Sequence, residues 1–101
     1  MLVKYKTIPL FEWSDLKYEF PKMPCQDFMD IFYLDELEIY GSTITFPVKW
    51  IDETIELLQT DESYSEQYDS EVLYNFLILK EIIADSCPSA DIVGISTWKE
   101  G

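Results

Sequence analysis

The sequence contains no histidine, and all seven of its basic residues are lysine. The absence of histidine removes the commonest general base at neutral pH and the commonest metal-ligating side chain. The two cysteines, Cys25 and Cys87, then lack the usual activating partners, and neither has a lysine beside it in sequence, which argues against a thiolate nucleophile. Glycine is scarce: Gly41, Gly94 and Gly101 are the whole supply, so no glycine-rich loop is available to cradle phosphate. The cysteines do not form a CxxC pair and read as reduced, buried, structural thiols. The opening MLVKYKTIPLF has neither a long apolar stretch nor a small-residue cleavage site, unlike a secretory leader. No apolar run approaches the length of a membrane span. A cytoplasmic protein that does not engage membranes is expected.

Calcium-loop chemistry also finds no support. An EF-hand needs alternating oxygen ligands, a glycine at the sixth position and a glutamate at the twelfth. Counting from Asp35, glycine falls seventh and Phe46 twelfth; counting from Asp61, there is no glycine and Val72 is twelfth. Paired carboxylates can run acid–base chemistry, but acids are so numerous here that pairs arise by chance. No catalytic residue, metal site or cofactor is therefore assigned, and an enzyme is not expected.

What the sequence has in excess is negative charge. Twenty aspartates and glutamates face seven lysines, a formal net charge of −13 on 101 residues. Such a charge repels nucleic acid and anionic membrane, and steers a protein towards basic surfaces with fast, salt-sensitive association. The competing reading is a solvated surface that only maintains solubility. The chain is not a disordered acidic tail, because 48% of its residues are hydrophobic and 16% aromatic, well above what such tails carry. A chain this short buries roughly two thirds of its unfolded surface, which leaves room for added stabilisation by homodimerisation.

The chain reads as one domain, 1–101, without internal repeats or a Gly/Ser linker. Residues 2–12 are extended in character: Val3, Tyr5 and Thr7 alternate with Lys4 and Lys6, and Pro9 marks a strand end or an edge position. Ser14 is a candidate cap for a short helix through Phe20, ended by Pro21 and Pro24. Residues 26–34 have helical spacing at Phe28, Ile31 and Phe32, while their aromatic content also suits a strand; of the two, helix is the reading taken, and the sequence does not decide residues 21–35. Leu37 and Ile39 alternate before Gly41-Ser42, and Ile44 and Phe46 alternate after it. That pattern predicts a β-hairpin with a primed turn near 36–46. Pro47 suits a helix start, and Val48, Ile51, Ile55 and Leu58 form one apolar stripe, with Asp52, Glu53 and Glu56 largely off it and near the favourable end of the helix dipole. Ser63 with Glu66 fits a capping box, and Ser70 is a later candidate cap. Val72, Phe76, Leu79 and Ile83, widened by Leu73, Leu77 and Ile82, predict a long helix ending before Pro88. Residues 92–98 read as a last, half-buried strand. The expected fold is α+β: a small antiparallel sheet of three to four strands, with two helices, about 47–59 and from 64 or 70 to 86, packed on one face.

The acids are concentrated between Asp27 and Glu71, a stretch that carries thirteen of them and only one base, Lys49. Asp35, Glu36 and Glu38 approach or enter the hairpin; Asp52, Glu53 and Glu56 lie on the helix expected at about 47–59; Asp61, Glu62 and Glu66 follow it. Duplex DNA presents about one charge per 1.7 Å of axis, and carboxylates on successive helical turns and loops approximate such a track. Tyr64 and Tyr68, in a very polar stretch, are the candidate exposed anchors, since tyrosine is favoured at interfaces; Trp50 and the phenylalanines of this region are expected in the core.

In bulk properties the chain resembles two groups of small acidic inhibitors: phage-encoded nucleic-acid mimics that block restriction or CRISPR nucleases, and immunity proteins that neutralise a nuclease toxin. The resemblance implies a basic protein partner, a nuclease or nucleic-acid-binding complex, and no direct binding of nucleic acid. A plain, non-inhibitory interaction subunit is the third reading.

Overall fold

The computed structural model of the protein describes residues 8–34 and 37–96. Four strands and five helices follow in the order β1 (Leu10–Glu12), α1 (Trp13–Leu16, continued by a 3-10 turn, Lys17–Glu19), α2 (Gln26–Leu34), β2 (Glu38–Tyr40), β3 (Thr43–Pro47), α3 (Val48–Thr60), α4 (Glu62–Gln67), α5 (Ser70–Ser86) and β4 (Ile92–Ser96). The strands form one sheet in the order β1-β4-β3-β2. The fold is the expected α+β class.

The hairpin lies where the alternation placed it. Ile39 pairs with Ile44 and Tyr40 with Thr43, and Gly41 has φ 61°, the left-handed value that a tight two-residue loop requires and that glycine adopts without strain. β4 runs antiparallel to β3, with Ile44 opposite Ile95 and Phe46 opposite Val93. β1 joins β4 in parallel, Leu10 opposite Gly94, so the sheet is mixed: its β2-β3-β4 portion is antiparallel as expected, and its β1 edge is not. Parallel neighbours need a long connection, and here the whole run from α1 to α5 supplies it. Pro9 takes the edge position foreseen for it, just ahead of β1, and its carbonyl accepts from Gly94 N–H at 2.9 Å. The expected alternation at Val3, Tyr5 and Thr7 lies outside the described residues.

β4 is more enclosed than the half-buried strand expected, because it is central: Val93, Gly94 and Ile95 are all buried. Gly94 has a specific reason to lack a side chain. A Cβ there would lie 2.6 Å from Leu10 Cδ2 and 3.3 Å from Thr45 Cγ2; without it, the neighbouring side chains close over the strand.

Ile44 and Phe46 of β3 and Val93 and Ile95 of β4 share one face of the sheet, as their register requires, and the helices bury it. α3 presents Ile51, Ile55 and Leu58 to this core, and Trp50 and Thr54 are buried with them. Pro47 is the last residue of β3 and the N-cap of α3. It therefore precedes the first turn rather than occupying it, and the first α3 amide, Val48 N–H, donates to Asp91 O at 2.8 Å. No acid stands in that first turn; Asp52 comes after it, outside the reach of the helix dipole at that end. α5 supplies Val72, Phe76, Leu79 and Ile83, but Leu77, expected to widen this stripe, is 37% exposed.

Three capping expectations are corrected. Ser14 sits inside α1, whose N-cap is Glu12 with no side-chain bond. Ser63 sits inside α4, whose N-cap is Asp61: its carboxylate accepts from Ser63 N–H at 2.9 Å and Tyr64 N–H at 3.4 Å. Aspartate is as good an N-cap as serine, and Asp61, two residues earlier, is the better placed because α3 ends there. Ser70 likewise falls in the first turn of α5, after Asp69.

At the centre, among the described residues, the ring of Phe32 in α2 contacts Phe28 at 5.4 Å, Phe46 at 5.4 Å, Trp50 at 5.0 Å and Phe76 at 5.7 Å between centroids. These rings belong to α2, β3, α3 and α5. Large-to-small changes at such a site cost about 3–5 kcal/mol, a large part of the roughly 5–15 kcal/mol that stabilises a small domain. Phe32→Ala is therefore expected to unfold a large fraction of the protein at 37 °C, and Phe32→Leu to cost clearly less. Urea denaturation followed by tryptophan fluorescence measures both; equal midpoints for the alanine variant and the wild type would remove Phe32 from this role.

Candidate acidic interface

The thirteen residues of α3 wind an apolar stripe against the core, which forces the intervening positions outward. Asp52, Glu53 and Glu56 are exposed as a direct consequence, and Thr60 Oγ1, donating to Glu56 O at 2.8 Å, closes the last turn. The chain then turns at Asp61. Its N–H donates back to Leu57 O at 2.9 Å while its side chain caps α4, so one residue ends one helix and begins the next. Glu62 and Glu66 are exposed on α4. The structure thus brings Glu53, Glu56, Glu62 and Glu66 onto two consecutive helices in a fixed relation.

The other predicted residues are placed differently. Asp52 is paired with Lys80 of α5 at 2.7 Å, both side chains about half exposed; Lys80 is distant in sequence, and only the antiparallel packing of α5 on α3 brings it there. Lys49 is exposed in the first turn of α3, so two cations flank Asp52 and the uncompensated acidity begins at Glu53. Asp61 is committed to the cap: its carboxyl is held below the usual range, first by the hydrogen bond from the Ser63 hydroxyl and then by the backbone N–H of Tyr64. Glu38 lies opposite Thr45 on β2, on the sheet face away from the helices, and does not join the α3–α4 group. Asp35 and Glu36 lie outside the described residues.

Tyr64 and Tyr68 are half buried rather than exposed. Their rings meet at a tilt of 52° with centroids 5.9 Å apart, and both pack against the hydrophobic core, because the short α4 has little other apolar surface with which to dock. They brace the acidic helices from beneath while part of each ring remains accessible. Trp50, Phe28 and Phe32 are core residues, as expected.

Exposed aromatic and aliphatic side chains are scattered over the surface, Tyr18, Met23 and Leu34 among the most exposed, and α5 contributes Tyr74 and Leu77. The signal was available in the sequence: α5 carries apolar residues around its whole circumference, more than one core-facing stripe can bury. The cysteines are half buried rather than fully buried, and both are free; burial pushes the Cys87 thiol up. Among the described residues there is no cluster of three or more metal-ligating side chains and no helix long and apolar enough to cross a membrane. No known protein family, curated protein or solved structure matches the chain.

The Asp61 cap carries a pH dependence. A carboxyl whose folded pKa is depressed contributes stability above its unfolded pKa, near 4, and loses it as pH falls through the lower folded value. The α4 cap is therefore expected to be intact at neutral pH and to fail only in acid below about pH 4. Asp61→Ala removes it at all pH values, whereas Asp61→Ser retains it. Amide hydrogen exchange at Ser63 and Tyr64 reads the difference: faster exchange is expected in the alanine variant alone.

Proposed function

We propose that this protein is a small acidic inhibitor that acts by binding rather than catalysis. It occupies a positively charged, nucleic-acid-binding surface of a nuclease or related complex in the cytoplasm, in the manner of a phage-type counter-defence protein. The observation that carries this reading is the set Glu53, Glu56, Glu62 and Glu66, exposed on the consecutive helices α3 and α4, which meet at Asp61, a residue bonded to both.

Preorganisation is what distinguishes such a set from a merely soluble surface. Charges on a mobile tail lose entropy when they dock; charges on helices anchored through Ile51, Ile55, Leu58 and the tyrosine pair do not lose it again. A rigid set of carboxylates presents itself to a Lys/Arg cleft much as a phosphate backbone does, and displaces it by charge complementarity. The accessible parts of Tyr64 and Tyr68 supply apolar contact beside the charges.

Affinity capture from the source cell or its host, at low and high salt, identifies the partner. A basic nuclease or nucleic-acid-binding complex released by salt supports the proposal, and competition with DNA or RNA then tests the mode of action. Capture of no basic protein leaves the acids as a solvated surface. With the partner in hand, the double variant Glu53→Lys, Glu56→Lys is expected to weaken binding by more than about tenfold, the scale of one lost charge-assisted contact or more, with an unchanged circular dichroism spectrum. Unchanged affinity would exclude α3 from the interface. Affinity is also expected to fall steeply as salt rises from about 50 to 200 mM.

A further inference from the structure

β2 is the last strand of the sheet, and among the described residues no strand lies beyond it. Gly41-Ser42 joins β2 to β3 in two residues, so Tyr40 and Thr43, which flank the loop, form the hydrogen-bonded pair that closes it. Along an antiparallel ladder such pairs alternate with non-hydrogen-bonded ones. Ile39 and Ile44 are therefore a non-hydrogen-bonded pair, and the N–H and C=O of Ile39 both point away from β3, out of the sheet edge. No described backbone group meets them there.

The side chain of Ile39 is left uncovered at the same place. It stands opposite Ile44, on the face that the helices bury, yet Ile44 is 1% exposed and Ile39 48%. The helices cover β3 and β4 and stop short of the edge strand. Leu34, the last residue of α2 and close in sequence to β2, is also exposed. The opposite face of β2 carries Glu38, which is exposed, and Asp35 and Glu36 precede it in sequence. No lysine occurs between Lys22 and Lys49. One edge thus combines an outward main-chain donor and acceptor, an uncovered aliphatic residue on one face and negative charge on the other.

We propose that the β2 edge receives an extended segment of a partner protein, antiparallel to β2, in which Val or Ile alternates with Lys or Arg. In strand addition main-chain bonds supply affinity and alternate side chains supply specificity. The geometry dictates which residue goes where. The partner residue opposite Ile39 exchanges both bonds with it, donating to Ile39 C=O and accepting from Ile39 N–H, and its side chain falls on the same face as Ile39. That residue is the aliphatic one, and it covers Ile39. Its neighbours point to the other face, beside Glu38, and are the basic ones. A second copy of this chain is a poorer occupant, because it sets the acids of this edge against themselves. The surface is separate from α3 and α4, and the inference does not depend on the function proposed for them.

The test uses the full chain and a fluorescein-labelled, end-capped octapeptide of alternating lysine and valine, titrated by fluorescence anisotropy in about 150 mM salt, where long-range attraction is screened. Two further peptides of the same charge carry N-methyl groups on every valine or on every lysine. Methylated valines lose the N–H that donates to Ile39 C=O, and binding is expected to weaken at least about tenfold. Methylated lysines lose only N–H groups that point away, and affinity is expected to stay within about twofold. Ile39→Pro removes the outward N–H, which the hairpin does not use, and is expected to weaken binding of the parent peptide at least about fivefold. Absence of saturable binding by the parent peptide would overturn the proposal. So would equal affinities of the two methylated peptides, which would make the attraction one of charge alone; if Glu53→Lys, Glu56→Lys then abolishes it, the peptide sits on α3 instead. A larger loss with methylated lysines would overturn the antiparallel pairing. Sedimentation showing a dimer of the free protein that Ile39→Pro disperses would assign the edge to a second copy and overturn the partner. Should Ile39→Pro fail to fold, the two methylated peptides decide the matter on the wild-type chain.

Discussion

Phe32 holds the molecule together in a literal sense. Other rings converge on its side chain, and they come from every layer of the fold: Phe28 beside it in α2, Phe46 in the sheet, Trp50 in α3 and Phe76 in α5. Most of these contacts are edge-on or tilted, the arrangement that the aromatic quadrupole favours, and each contributes beyond the area it buries. The demand on this cluster is high because the chain is small and carries a charge of −13. Self-repulsion on that scale opposes compaction, and the opposing attraction must come from a core of limited volume. Packing several large rings around one centre concentrates much apolar area in few residues.

The same core determines where the charge goes. α3 must offer Trp50, Ile51, Ile55 and Leu58 inward, and 3.6 residues per turn leave Glu53 and Glu56 outward. α5 packs along α3 and delivers Lys80 to Asp52. An exposed ion pair of this kind contributes at most about 1 kcal/mol, so its main effect is on the shape of the field. It neutralises the start of α3, where Lys49 also sits, and leaves the far end and α4 uniformly negative. The acidic surface is accordingly smaller than the sequence count implies, and sharper.

Elements governed by local periodicity were legible in the sequence. The hairpin and α3 have apolar spacing of one clear period with a turn glycine or a flanking proline, α5 is long and ends before Pro88, and they fold as those signals dictate; α2, whose aromatic content suited a strand equally, is settled as helix by its packing on α5. Features decided by chain separation were not. The parallel pairing of β1 with β4 joins residues more than eighty positions apart, and nothing in a three-residue strand encodes its partner. Lys80 reaches Asp52 for the same reason. Caps failed differently: Asp61 and Ser63 are both good N-cap residues, and the choice between them depended on where α3 stopped, a tertiary matter. In the candidate site, Glu53, Glu56, Glu62 and Glu66 were legible because amphipathic helices force polar positions outward. Tyr64 and Tyr68 were misjudged as exposed because polar neighbours in sequence say little about whether a short helix needs aromatic rings to dock.

One polar contact in an otherwise apolar helix junction remains to be explained in energetic terms. A leucine has the same branched outline as Asn75, though a larger volume, and an apolar contact between α5 and the start of α2 would then replace two weak hydrogen bonds, those that Asn75 Oδ1 accepts from Cys25 N–H and Sγ–H. Buried polar groups of this kind contribute modestly to net stability, and their presence is better accounted for by specificity. Cys25 sits between Pro24 and the first turn of α2, where the chain has just left an irregular segment rich in proline. Apolar packing alone tolerates sliding of that segment along α5, because α5 is apolar all round. A backbone N–H that finds its acceptor at only one position on α5 removes that freedom and fixes the entry of α2. The register of Phe28 and Phe32 against Phe76 follows from that entry, so the polar pair at the edge of the junction and the aromatic cluster at its centre are parts of one constraint.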